Sequence, residues 1–299
     1  MPDQGDIVSD YGATMRVLQP KPHIFAFYDG RIAGTRLYSE APNWLDDGAY
    51  ALGVASYAIV DGEHALIYDT HISLKHATII RSYLADRGVK SMRVVLSHHH
   101  DDHVAGNEVF ADCEIIANEL TAQALAEQRD AYENADPPIK PLILPTTTFS
   151  GDFTLTVGQL RVELRQFDIH SFDATVLWLP DEGLLFAGDT LEDTVTYVAE
   201  PTRLGAHLRD LDRLQRLPID RILPCHGAPE RIANGGYDRG LIDATRAYVE
   251  KLLKCRDDPA LAAQDLKTFA ADDLAAGRIV YFEPYEEVHR NNVAAMTAD

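Results

Sequence analysis

The chain is predicted to be an α/β protein: two units of sheet plus helix facing each other, followed by a helical extension. Three observations lead there. A strand, helix, strand order occupies residues 56–96, a second, similar progression runs through 115–223, and after Gly235-Gly236 the pattern becomes helical. With 299 residues, 46% of them hydrophobic, the chain can bury a large core as one big domain or two modest ones. The expected division is a sheet-containing domain over 1–235 and a helical extension over 236–299 packed on it.

Each element has a local reason. Residues 56–60 and 65–68 are strand-like and flank Asp61-Gly62, a turn dipeptide, which predicts a hairpin. A helix follows, with Ser73 as N-cap, Leu74, Ala77, Ile80 and Leu84 at helical spacing, and Gly88 as the stop. Residues 92–96 read as a buried strand. In the second progression Ile115-Ile116 is a short strand, and Asn118 caps a helix running to Arg129. The prolines at 137, 138, 141 and 145 make that stretch a loop. Residues 151–167 alternate like paired strands, with Phe153, Leu155 and Val157 on one face. Strands at 175–179 and 184–187 are separated by Pro180-Asp181-Glu182-Gly183, and a helix over 204–217 precedes a strand at 221–223. The extension reads as helices over 241–254, 260–271 and 285–296.

Charge excludes some function classes. Twenty-seven basic against 47 acidic residues give a formal net charge of -20, and no run of lysines and arginines occurs. Such a surface repels phosphate backbones, so nucleic acid is not an expected partner. No apolar stretch approaches the roughly 18 residues that span a membrane. The N-terminal residues 1–6 are polar and acidic, without the apolar segment of a secretory signal. Cys113, Cys225 and Cys255 form an odd, widely spaced set that reads as reduced thiols. Together these features predict a cytoplasmic protein acting on a small molecule, with a homodimer as a candidate assembly.

The most informative segment is His98-His99-His100-Asp101-Asp102-His103, just after the 92–96 strand. Neutral imidazole and carboxylate are the donors that suit zinc and related divalent ions, and strand ends are where open sheets place their chemistry. A tag remnant would lie at a terminus and lack interleaved acids. Four ligands close in sequence cannot enclose two ions. The chain offers distant partners, each after a predicted strand: His170, Asp189 behind Gly188, and His226 ahead of Gly227.

The series His98-x-His100-x-Asp102-His103, His170, Gly188-Asp189 and His226-Gly227 resembles the metallo-β-lactamase fold superfamily over about residues 56–227. Asp69 resembles the family aspartate that stands behind the ligands. The resemblance implies a four-layer αββα sandwich with its site at one edge of the two sheets. It also implies that His98, His100 and His170 hold one metal ion, that Asp102, His103 and His226 hold a second, and that Asp189 bridges them. The implied cofactors are two divalent ions, zinc first, with iron or manganese as alternatives. Two such ions about 3.5–4 Å apart can share a hydroxide nucleophile, lowering the pKa of water from ~15.7 to near 7. Asp102 is then the catalytic carboxylate that orients this nucleophile and passes on its proton.

Aspartate at 189, where one class of secreted β-lactamases carries cysteine, points away from antibiotic hydrolysis. The ligand set is similar to hydroxyacylglutathione hydrolases and acyl-homoserine lactonases, which implies cleavage of a small carboxylic ester, lactone or thioester. The lactonases carry tyrosine three residues past the bridging acid, where this chain has Glu192; Tyr197 is the nearest tyrosine and the candidate substrate-binding residue. Glutathione hydrolases use a basic, tyrosine-containing helical C-terminus, and Arg246, Tyr248, Lys251 and Lys254 stand in that region without matching the family positions. The alternatives are a mononuclear-iron oxygenase of the same fold acting on a sulfur substrate, and a metal-dependent phosphodiesterase or nuclease. The net charge argues against the nuclease.

Other residues are expected to be structural. His99 and Asp101 alternate with the ligands and should point away from the metals, and Cys225 reads as a small buried thiol. His23, His64, His71, His76 and His207 lack partners at metal spacing. Tyr285, His289 and Asn292 form one polar-aromatic face of the last helix, for packing, dimer contact or capping of the site mouth. Trp44 and Tyr50, in a loop, are candidates to line a substrate pocket.

Overall fold

The computed structural model describes residues 12–298, and the polar stretch 1–6 lies outside them. Twelve strands form two sheets. They are β1 (Arg16–Lys21), β2 (Ile24–Asp29), β3 (Val54–Asp61), β4 (His64–Tyr68), β5 (Ser91–Val95), β6 (Glu114–Asn118), β7 (Thr147–Phe149), β8 (Asp152–Val157), β9 (Leu160–Gln166), β10 (Thr175–Leu179), β11 (Leu184–Gly188) and β12 (Arg221–Pro224). The first sheet runs β1 to β7 in chain order and the second runs β12-β11-β10-β9-β8. The longer helices are α1 (Leu74–Asp86), α3 (Glu119–Glu127), α5 (Leu204–Leu214), α7 (Gly240–Lys254) and α11 (Tyr285–Thr297). Shorter ones are α2 (Asp101–Val104), α4 (Arg129–Glu133), α6 (Pro229–Ala233), α8 (Pro259–Ala262), α9 (Leu266–Phe269) and α10 (Ala271–Ala275).

Period-two alternation builds the layers. In β4, Leu66 and Tyr68 face the second sheet, while Ala65 and Ile67 face α1 and α3. In β11, Leu184 and Phe186 join that same inter-sheet core, while Leu185 and Ala187 pack under α5, α7 and α11. Helices cover both outer faces, so the order is αββα as expected. The last helices share the core of the second sheet: Trp178 and Leu211 cluster with Leu241, Phe269 and Tyr285.

The hairpin pairs Asp61 with His64, so its turn is Gly62-Glu63. Ser73 caps α1 by accepting from the His76 amide, and Asn118 caps α3 through the Leu120 amide. Three helices differ from expectation. The helix begun at Asn118 stops at Glu127, and α4 starts afresh at Arg129; the 204–217 helix ends at Leu214. The 260–271 helix is broken into separate turns because Asp258 and Asp265 each cap a new start, Asp265 by accepting from the Thr268 amide at 2.9 Å. Strands β1 and β7 were not foreseen. Four parallel pairings, β4-β5, β5-β6, β6-β7 and β11-β12, bring strand C-termini to one edge. Gly188, φ +57°, turns the chain there, and an added Cβ would lie 3.0 Å from Ser97 Cβ.

Candidate metal centre

Every predicted ligand arrives at that edge. His98, His100 and His103 follow β5, His170 follows β9, Asp189 follows β11 and His226 follows β12. They gather in two groups whose ligand atoms lie within 4.8 Å of one another: His98, His100 and His170, and Asp102, His103, Asp189 and His226. Asp189 stands between the groups. Its Oδ2 is 3.1 Å from His103 Nε2, 3.4 Å from His226 Nε2, and 3.7 Å from both His98 Nε2 and His170 Nε2.

The outward nitrogens of four rings are held, which fixes Nε2 inward. His103 Nδ1 meets Asp69 Oδ2 at 2.9 Å, and His98 Nδ1 meets Ser97 Oγ at 2.9 Å. His226 Nδ1 meets the Gly53 carbonyl at 2.7 Å, and His170 Nδ1 meets the Tyr197 carbonyl at 3.2 Å with Glu192 Oε1 at 3.5 Å. Asp69 also accepts from the Ser97 amide, bracing the loop that starts the cluster.

Two features fit a bound cation. His100 Nδ1 lies 3.0 Å from both His98 Nε2 and His170 Nε2, so three imidazole nitrogens converge on one point. Asp189 Oδ1 is buried without a hydrogen-bond partner. Burial pushes the His98 and His100 imidazoles down, His100 to about 3, which keeps them neutral and available as lone-pair donors. Burial acts the same way on His103 and His226. There the surrounding carboxylates, Asp102 and Asp189 foremost, outweigh it and raise both. Asp102 and Asp189 are held below the usual carboxylate range by these histidines, against the opposing effect of burial.

Glu192, which departs from the lactonase tyrosine, is buried. Besides facing His170 it accepts from the Tyr197 amide at 2.8 Å and from Tyr285 Oη at 3.1 Å. The polar face of α11 therefore packs inward. Asn292 accepts from the Val198 amide at 2.9 Å and donates to the Thr196 carbonyl at 2.8 Å, while Tyr248 Oη lies 3.0 Å from His289 Nδ1. This face clamps the segment between Asp189 and Val198. The Glu192–Tyr285 bond and the Asn292 bonds to Thr196 and Val198 join residues more than 90 positions apart, so sequence spacing does not reveal them.

His99 and Asp101 stand outside both ligand groups, and His99 Nδ1 meets Asp173 Oδ1 at 2.9 Å. Both border the cleft above the centre, as do Trp44 and the 43% exposed Tyr197. Tyr50 does not. It is buried with Leu37 and Leu45, its hydroxyl 3.2 Å from Thr14 Oγ1. Cys225 is the expected buried thiol, 3.6 Å from Asp69 Oδ2.

His207 also departs from expectation, since Asp168 and Glu200 lie at metal spacing from it. Arg203 already ties the Asp168 carboxylate, so this cluster is charge-compensated. Both His207 nitrogens are buried without partners, and burial pushes its pKa down to about 4, against about 6.5 unfolded. Folded protein thus binds fewer protons between those values. The His207 contribution to stability is full above pH 6.5 and is lost, on the order of 3 kcal/mol, as pH drops to 4. His207→Leu should remove much of that loss, read from urea unfolding at pH 7 and pH 5; an unchanged pH dependence would contradict it.

Comparisons with known proteins agree with this fold. The family described as the metallo-beta-lactamase superfamily matches residues 49–226. A hydroxyacylglutathione hydrolase of Rhodobacter capsulatus is 27% identical over 170 residues, 56% of this chain and 59% of that protein. A beta-lactamase-like protein 2 homolog of Caenorhabditis elegans is 25% identical over 198 residues, 65% of this chain and 61% of that protein. The chain thus spans about three-fifths of the length of these curated relatives. Among solved structures, a metallo-beta-lactamase from Pontibacter korlensis superposes with a TM-score of 0.60 at 19% identity, covering 79% of this chain and 99% of that one. The DIM-1 metallo-beta-lactamase gives 0.58 at 20% identity, covering 79% of this chain and 97% of that one. At such identities the structural likeness speaks for the fold.

Proposed function

Because the chain belongs to the metallo-beta-lactamase superfamily, whose members are metal-dependent hydrolases, we propose that it is a dinuclear metallohydrolase of a small carboxylic ester, lactone or thioester. The observation that carries this reading is the place of Asp189, within 3.7 Å of imidazoles from both ligand groups. His98, His100 and His170 would hold one ion, Asp102, His103 and His226 the other, and Asp189 would span them. Imidazole and carboxylate without thiolate suit zinc, and iron or manganese after it. When bound, two such ions would polarise the scissile carbonyl and lower the pKa of a water to near 7.

The chain's own groups supply the rest. Asp102 Oδ2, 3.1 Å from His226 Nε2, borders the cleft floor, where it would orient the attacking water and take its proton. It would then return that proton to the leaving oxygen or sulfur. Tyr197, with its ring 6.2 Å from that of His170, borders the cleft and would contact the substrate. The buried imidazoles are locked by outward partners, so the donor geometry is set before substrate arrives. Thioester cleavage is supported by the hydroxyacylglutathione hydrolases among the relatives.

The test is turnover of lactones, thioesters, aryl esters, β-lactams and phosphodiesters by metal-replete enzyme, beside a chelator-treated control. Chelator-sensitive cleavage of carboxylic esters, lactones or thioesters is expected. Turnover confined to phosphodiesters would overturn the assignment.

A further inference from the structure

The cleft above the metal centre has a volume of about 940 Å³, and its walls carry a charge pattern that hydrolysis itself does not require. Asp101, Glu283, Glu286 and Glu287 line it, while Arg290 is the cation among the lining residues. Glu283 and Glu287 are exposed at the cleft wall. Arg290 can offset one of these four charges. Asp47 also borders the cleft, but Arg36 is bound to it.

Arg246 and Lys251 of the helical C-terminus are engaged away from the cleft. Arg246 pairs with Asp212, and Lys251 Nζ donates to the Phe269 carbonyl at 2.6 Å. At the floor stands Asp189, which lines the cleft and whose Oδ1 is buried without a hydrogen-bond partner. The floor is thus built for a cation-polarised carbonyl, and the walls are negative. Low-dielectric walls of one sign focus their field into a cleft. A substrate reaching from floor to mouth meets that field with whatever lies beyond its scissile bond.

We infer that this cleft selects acyl substrates whose arm beyond the scissile bond carries a positive charge, such as an ammonium-bearing ester or lactone, over anionic counterparts of the same size. The inference rests on the hydrolase reading and names the substrate class for it. Trp44, Leu52 and Val288 line the same space and give the arm apolar contact. Trp44 also presents a ring of the kind that attracts ammonium groups.

The test uses three thioesters sharing one acyl group, with arms ending in trimethylammonium, tert-butyl or carboxylate. For metal-replete enzyme at low salt, kcat/KM for the cationic arm should exceed that for the anionic arm at least tenfold. The difference should lie in KM and shrink as salt rises. In the Glu283→Lys/Glu287→Lys variant the ratio should collapse or reverse, and Glu283→Gln/Glu287→Gln should fall between. Equal kcat/KM values, or preference for the anionic arm, would overturn the inference. Calorimetric binding of the corresponding non-hydrolysable amides reads the same order without turnover. Absence of turnover with the amides still ranked cationic first would remove the hydrolase reading and leave the charge selection; amides of equal affinity would remove the selection.

Discussion

Asp189→Ala is expected to lower the metal content from two ions per chain towards one and to cut turnover by about a thousandfold or more. The expectation follows from one atom, Oδ2, which approaches both imidazole groups. Without it, the seven-donor set becomes two separate sets of three, His98, His100 and His170 on one side and Asp102, His103 and His226 on the other. The second set also loses the carboxylate that, with Asp102, favours a positive charge beside His103 and His226. Metal analysis after dialysis, paired with initial rates, reads both effects. Unchanged stoichiometry together with an unchanged rate would remove Asp189 from the bridging position.

A second large effect is expected far from the ligands in sequence. Asn292 is fully buried and joins the Val198 amide, the Thr196 carbonyl and the Tyr248 hydroxyl. Asn292→Ala leaves the Val198 amide and the Thr196 carbonyl unpaired and should cost about 3 kcal/mol of stability. Because the freed segment follows Asp189 and includes Glu192, which faces His170, metal retention should weaken too. Denaturant unfolding would read the first change, and competition with a chromogenic chelator the second. Wild-type stability and wild-type metal affinity together would show that α11 does not brace the centre. Loss of stability alone would restrict its role to packing.

The gathering of His98, His100, Asp102, His103, His170, Asp189 and His226 at one sheet edge was legible because each lies in the segment that follows a strand, and a strand end is a local signal. The same holds for the Ser73 and Asn118 caps and for the β3-β4 hairpin. The expected helix over 260–271 is interrupted because Asp265 caps a new start at Leu266. β1 and β7 escaped for a different reason. Arg16–Lys21 is an edge strand of alternating burial, and Thr147–Phe149 has three residues, so neither presents a sustained apolar pattern. The face carrying Asn292 and the residue Glu192 both stand out in the sequence, but their partners do not, since these are assembled by the fold. Tyr50, expected in a pocket-lining loop, instead ends a helical segment, Trp44–Tyr50, and fills a small core with Leu37 and Leu45.

The measurement that bears most directly on the central claim is metal content per chain, determined by elemental analysis on protein that hydrolyses a carboxylic ester, lactone or thioester. The two ligand groups predict two divalent ions per chain, zinc foremost, with activity lost on chelation and restored on zinc addition. A single redox-active iron per chain, or ester turnover indifferent to chelation, would contradict the account.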